Sequence, residues 1–251
     1  LSKIDGLLRA NGGANLFLLN PAGIVFGPNA RLDIGGSFFG STADSVVFQD
    51  GSVFSATEAN APPLLTIDVP VGLQMGTNPG NIQVQGTGHQ ISGQIVGFSP
   101  LDRSKNPIGL QVRGGNTLAL VGANVQLDGG VLNAAGGRIE IGAVGGTPGT
   151  ATEMVGLNAT DLGWQFNYDD IENLGNIDLS GKALVDISGE GGAIHLQGAN
   201  INLVGGSVLF VNAQGAQLGG SIGIDASESI VFSGTAANGF PTLVRYEVLG
   251  T

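Results

Sequence analysis

Apolar residues alternate with small or polar ones along most of this chain, as in Ile194-His195-Leu196 and Ile201-Asn202-Leu203. A period of two sends successive side chains to opposite sides of an extended backbone, so each such stretch reads as a short strand with one face buried. The pattern predicts strands at 15–19, 23–26, 31–34, 45–48, 52–55, 64–69, 81–85, 117–121, 124–127 and 138–141. It continues at 176–179, 184–187, 193–196, 200–203, 207–211, 221–224 and 229–232. Each is bounded by Gly, Asn, Asp or Pro, the residues that turn a chain. A helical period is absent except that 161–173 stays open.

The strands recur. Gly-Gly-x-Ile-x-(Ile/Leu) stands at 136–141, 191–196 and 219–224, with starts 55 and 28 residues apart, so the first gap reads as close to two of the second. Near the start, Ile4, Ile24 and Val46 begin similar units. Leu16 and Phe38 lie 22 apart, and Leu32 and Val53 lie 21 apart. Short strands repeating every 20–28 residues without helices predict a parallel β-helix, in which each turn stacks on the next and all share one core. A leucine-rich repeat would need its L-x-x-L-x-L run and a helical segment, and neither is present.

The expected inward set is Leu16, Leu18, Ile24, Phe26, Leu32, Ile34, Leu118, Leu120, Ile139, Ile141, Ile177, Leu179, Ile194, Leu196, Ile201, Leu203, Ile222 and Ile224. His195 and Asn202 should then face outward. Segments 56–66, 86–108 and 145–175 break the period and read as loops or excursions. Trp164, Phe166 and Tyr168 alternate and share a face; they are expected to cover an apolar side or end of the helix, a sugar-stacking platform being the sharper alternative.

Composition narrows the class. The chain has 251 residues with 45 Gly, 12% charged residues and 42% hydrophobic residues. That is enough apolar content for a core, and glycine keeps no three-residue period, which excludes collagen. The net charge of −11 argues against nucleic acid and against anionic lipid. With no cysteine, disulfides and thiol chemistry are excluded. No apolar run is long enough for a transmembrane helix, so no membrane insertion is expected.

At 4–41 the residues become specific. The run includes Ile4-Asp5-Gly6-Leu7-Leu8-Arg9-Ala10-Asn11-Gly12-Gly13, then Ala14-Asn15-Leu16-Phe17-Leu18-Leu19-Asn20-Pro21-Ala22-Gly23-Ile24. This resembles the filamentous-haemagglutinin-like two-partner secretion domain, also called the haemagglutination activity domain, in its cyanobacterial-type form. The family motif N-P-N-G-I is carried by Asn20, Pro21, Gly23 and Ile24; Ala22 departs from it. Similarity extends through 72–86, 116–144 and the tail from Gly175. The resemblance implies an all-β, right-handed parallel β-helix with extra-helical loops and hairpins. It implies a single domain over 1–251, a fragment lacking N-terminal rungs and signal peptide. It further implies recognition by periplasmic modules of an outer-membrane β-barrel transporter, export via the periplasm to the medium or cell surface, and a parent protein serving adhesion.

The turn formed by Asn20, Pro21, Ala22, Gly23 and Ile24 is the candidate secretion site, with a folding role weighed above direct transporter contact. Pro21 fixes φ and Gly23 tolerates positive φ. Buried Asn side chains in successive turns are expected to bond along the stack and satisfy the backbone at corners. No catalytic, metal or cofactor site is expected. No hydrolase elbow, P-loop or zincin motif occurs, and His89 and His195 are single and distant. Asp169, Asp170 and Glu172 read as a solvated loop, with a weak calcium site as alternative. Arg103 and Lys105 read as solvated. The alternative function is a β-helix polysaccharide lyase or hydrolase using paired acids such as Asp178 and Asp186.

Overall fold

The computed structural model describes residues 1–58, 68–93, 100–146, 153–161, 163–214 and 219–249. Among them there is no helix. The chain winds as a parallel β-helix with three faces, here A, B and C, visited in that order on every turn.

Face A stacks Leu16–Leu19, Phe38–Ser41, Thr117–Gly122, Arg138–Ala143, the first part of Ala193–Val204 and the first part of Ser221–Ser233. Face B stacks Ser2–Ile4, Ile24–Phe26, Ile82–Gln85, Val125–Asp128, Asn176–Ser180 and the later parts of the same two long strands. Face C pairs Leu7–Ala10 with Arg31–Ile34. It continues through Leu110–Gln111, Val131–Asn133, Leu184–Asp186, Val208–Gln214 and Leu243–Leu249. All these pairings are parallel.

The alternation explains the stack. On face A, Leu16, Phe38, Leu118, Ile139, Ile194 and Ile222 fall in register one above another. Every member of the expected inward set lies in the central apolar cluster or packs against it. Burial of each Ile, Leu or Phe contributes about 1.5–3 kcal/mol. His195 and Asn202 sit on the opposite side of their strands and are hydrogen-bonded.

Several sequence expectations are corrected. The two predicted strands at 193–196 and 200–203 are one continuous strand, as are those at 221–224 and 229–232, because the A-to-B corner is a bend with a register shift rather than a turn. The gap of 55 is one turn, not two: Arg138 pairs directly with Ala193. The extra residues leave the helix after face A as a hairpin, Met154–Thr160 with Gly163–Asn167. Val46 and Val53 do not belong to the helical repeat either. They lie in Ser45–Phe48 and Val53–Ser55, part of an earlier excursion at the same corner. Pro70–Gln74, missed in the sequence, joins both excursions into one antiparallel five-stranded sheet. Most of the strand predicted at 64–69 lies outside the described residues.

This extra sheet lies over the outer side of face A. Trp164 and Tyr168 are buried with Phe39, Ala119 and Val121, and Phe17 and Phe166 pack alongside. Trp164 meets Phe39 edge-on at 5.3 Å, and Phe17 stacks on Phe39 at 4.1 Å. The aromatic residues therefore cover an apolar side, as expected. Face C is covered separately by residues flanking 94–99 and by Phe240, through Ile91 and Leu101 against Val131, Leu184, Val208 and Phe210.

Candidate functional site

The 20–24 turn joins face A to face B near the N-terminal end. Asn20 accepts the Ala22 N–H at Oδ1 (2.9 Å), and its carbonyl accepts the Gly23 N–H (2.9 Å). These two bonds close the turn locally. Gly23 has φ +107°, and a Cβ there would come within 3.0 Å of the Asn81 carbonyl oxygen. Only glycine meets both demands without strain. Ile24 is fully buried, as predicted.

The same five residues tie three turns of the helix together. Toward the preceding turn, Asn20 Nδ2 donates to Ser2 Oγ at 2.6 Å, and the Gly23 carbonyl accepts the Ser2 N–H at 3.0 Å. Toward the next turn, the Asn20 N–H donates to the Ser41 carbonyl, the Pro21 carbonyl accepts the Gly80 N–H, and the Ile24 N–H donates to the Asn81 carbonyl. Pro21 needs no donor where it stands. Ala22 is exposed, so the family's departure at this position leaves the bonding intact.

Beside the turn runs a groove of about 510 Å³ on face B, lined by Ala22, Val25, Gln83, Asn124, Gln126 and Asp178 among others. Several of these side chains belong to a ladder of amides that runs on along face B. Asn124 donates to Asn81 (2.9 Å), Asn200 to Asn176 (3.1 Å), Gln83 to Gln126 (3.3 Å), and Asn202 to Asp178 (2.9 Å). The expected Asn stack is thus present, although Asn81, Asn124 and Asn176 meet solvent rather than the core. Near the other end of the N-terminal turn, Asp5 accepts both the backbone and side-chain N–H groups of Asn29. Those bonds hold its carboxyl below the ordinary range. No single-residue signal marked Asp5, because its partner is 24 residues away.

The acids singled out in the sequence disperse. Asp178 and Asp186 occupy consecutive strands of one turn but belong to faces B and C. Asp178 is bonded to Asn202. Asp186 is buried and paired with Arg103 at 2.6 Å, while the Arg103 guanidinium lies 4.7 Å from the Phe210 ring centre. The expectation that Arg103 is solvated is therefore overturned, since it folds down onto face C. Asp169, Asp170 and Glu172 are exposed, as expected of a solvated loop. Among the described residues no cluster of acids and histidines is arranged to hold a metal ion.

His89 stands in a loop, as predicted, but is almost fully buried. Its Nε2 lies 2.7 Å from the Gly206 carbonyl, and its Nδ1 accepts the Ile91 N–H. A carbonyl requires a proton on Nε2 and an incoming N–H requires a lone pair on Nδ1, so the ring is neutral. Burial lowers its pKa below 6.5; the Gly206 bond opposes that and the Lys182 charge adds to it.

A buried polar cluster on face A escaped the sequence reading. Glu140, with no exposed surface, accepts Arg138 at Oε2 and Tyr168 at Oε1 (3.0 Å), and its Oε1 lies 2.7 Å from His195 Nδ1. Burial, then the Glu140 charge and hydrogen bond, push the Tyr168 hydroxyl well above its ordinary value. Glu140 and His195, 55 residues apart, are register partners on adjacent turns of face A, and the excursion adds Tyr168, 28 residues from Glu140.

A parallel β-helix carrying extra-helical strands is the architecture the sequence resemblance implied. Neither the curated proteins nor the solved structures yield a match to the chain. A family model described as the TPS secretion domain matches residues 1–196; the helix itself continues past that limit through the strands at 193–204, 208–214, 221–233 and 243–249. The match covers well over half the chain, and the chain belongs to this family: it is the secretion domain of a two-partner secretion exoprotein, recognised by the transporter that exports it.

Proposed function

We propose that the chain directs a large adhesin-like exoprotein through an outer-membrane β-barrel transporter to the cell surface or medium, and that the 20–24 turn is the element on which this depends. In this reading periplasmic modules of the transporter engage the chain, and the turn acts first by making the N-terminal turns of the helix fold. The observation that carries it is the bonding of Asn20, Pro21, Gly23 and Ile24 to Ser2, Ser41, Gly80 and Asn81, which knits three turns at one corner. Each turn of a solenoid contacts only its neighbours, so a corner that joins three is a natural place for stacking to begin. The adjoining amide groove gives a second, polar surface beside the same turn.

The test is Asn20→Ile, co-expressed with a cognate transporter. The substitution removes the bonds to Ser2 and Ala22 and should lower stability by about 1–3 kcal/mol. Both the thermal midpoint and the secreted fraction should fall. Secretion and midpoint that both match wild type would show that the turn is not the site. A lower midpoint with full secretion would separate folding from export.

A further inference from the structure

A short pattern recurs where face A gives way to face B. Asn81-Ile82-Gln83, Asn124-Val125-Gln126, Asn176-Ile177-Asp178 and Asn200-Ile201-Asn202 occupy consecutive turns in register. The middle residue of each is buried in the core. The first and third stand two positions apart on a strand and so share its outer side. They form two columns along the helix axis, seven amides and one carboxylate.

The two columns do different work. The first ties the corner: Asn124 Oδ1 accepts the Asn176 N–H, and Asn81 and Asn176 accept amide N–H groups from Asn124 and Asn200. The side chains of the second bond only to other side chains, Gln83 to Gln126 and Asn202 to Asp178. Asn and Asp are depleted in strands, where β-branched residues pack better. The same column carries Val25 before the array and Val231 after it, so the fold accepts an apolar residue there. Face B is also the open face. Covers lie over the outer sides of faces A and C, whereas Gln85, Gln126 and Asp128 on face B are exposed. The groove of about 510 Å³ runs over the first part of the array, from Ala22 to Asp178. Bonding capacity is left in it. Gln126 accepts Gln83 at its carbonyl oxygen, but among the described residues its amide N–H groups have no acceptor. Asp178 spends Oδ1 on Asn202 and keeps Oδ2. No Lys or Arg belongs to the array; Lys3 shares its column two turns before Gln83.

We propose that these two columns bind a neutral polysaccharide with an extended, β-linked backbone, laid along the helix axis across face B. A sugar hydroxyl both donates and accepts, which suits an amide, and two adjacent hydroxyls can donate together to a carboxylate such as Asp178. Successive turns lie about 4.8 Å apart, close to the advance per hexose in an extended β-linked chain, so each turn meets one sugar residue in the same way. An α-linked chain coils and loses that match. An acidic chain would face Asp128 and Asp178 with no cation in the array to offset them. The columns hold no aromatic ring, so contact is through hydrogen bonds, each of small net worth in water. Affinity therefore comes from repetition over successive turns.

The experiment follows the side-chain amide resonances of the folded chain by NMR during titration with cellobiose, cellotriose and cellotetraose. Maltotetraose and tetragalacturonate serve as the coiled and the acidic counterparts. Expected are shifts of the Gln83, Gln126 and Asn202 amides, an affinity that rises severalfold from cellobiose to cellotetraose, and little response to the two counterparts. Gln126→Ala should weaken cellotetraose binding severalfold at an unchanged thermal midpoint. Asn158→Ala, at an exposed amide on the extra sheet, should bind as wild type does. Array amides that do not move at millimolar cellotetraose overturn the proposal. So does maltotetraose or tetragalacturonate binding as tightly as cellotetraose, or wild-type affinity in Gln126→Ala; Gln83→Ala repeats that last comparison if Gln126→Ala does not fold.

Discussion

At the scale of single residues, the chain uses a few side chains whose chemistry has one acceptable state. Gly23 is one, with φ +107° and the Asn81 carbonyl oxygen 3.0 Å from where a Cβ would stand. Gly23→Val should cost about 1–3 kcal/mol through backbone strain, read as a lower urea midpoint. Ala22→Asn, at an exposed position, should change stability by no more than about 0.5 kcal/mol. Equal effects from the two would mean that the corner is not constrained by Gly23. His89 is another. Its partners demand the neutral ring, so its folded pKa lies below 6.5. For a base with a depressed pKa, stabilisation is complete above the unfolded value and drains away as pH falls from there to the folded value. The wild-type thermal midpoint should therefore drop on mild acidification. His89→Gln, whose amide can donate to Gly206 and accept from Ile91 without titrating, should remove that part of the drop. A wild-type and variant pair with parallel pH profiles would show that His89 does not titrate in this range.

At the scale of elements, the two covers on the helix are held by different means. The extra sheet on face A rests mainly on aromatic packing. Trp164 is 8% exposed and meets Phe17 and Phe39 edge-on. Trp164→Ala should cost about 3–5 kcal/mol and raise hydrogen exchange in the sheet before the helix. Face C's cover adds to its apolar contacts an ion pair, Arg103 on buried Asp186. Breaking a fully buried pair costs about 3–5 kcal/mol; Arg103 keeps 27% of its side-chain surface exposed, so Arg103→Ala should fall below that range. What the sequence disclosed follows the same division. Strands and the 20–24 turn were legible because their determinants are local: alternation, a proline, a glycine. The inward columns were legible because stacking repeats them. The excursions were legible as breaks in the period, but not their joining into one sheet nor their effect on the count: removing residues 144–175 is what turns two apparent repeats into one turn. Arg103 with Asp186, 83 residues apart, and Glu140 with His195, 55 apart, become neighbours only through that topology.

At the scale of the molecule, a stack of turns with nearest-neighbour contacts makes position along the axis an energetic variable. Ile139 is fully buried, with Leu118 on one side and Ile194 on the other in its inner column. Ile222 occupies the same column, but in the last described turn it has only Ile194 in register beneath it and is partly exposed. The neighbouring inward residues of that turn show the same difference. Ile230 is 44% exposed and Phe232 45%, whereas Ile201 and Leu203, directly below them, are at 0%. An identical truncation should therefore cost different amounts at the two positions. Ile139→Ala empties a closed site and should cost about 2–5 kcal/mol, whereas Ile222→Ala, packed on one side, should cost about half as much. Hydrogen exchange should follow the same order, with amides of Leu243–Leu249 opening before those of Val131–Asn133. The check is a pair of urea unfolding curves, one for each variant, against wild type. A cost at Ile222 equal to that at Ile139 would mean that the last turn is covered as completely as the interior, and the nearest-neighbour account of this helix would have to be given up.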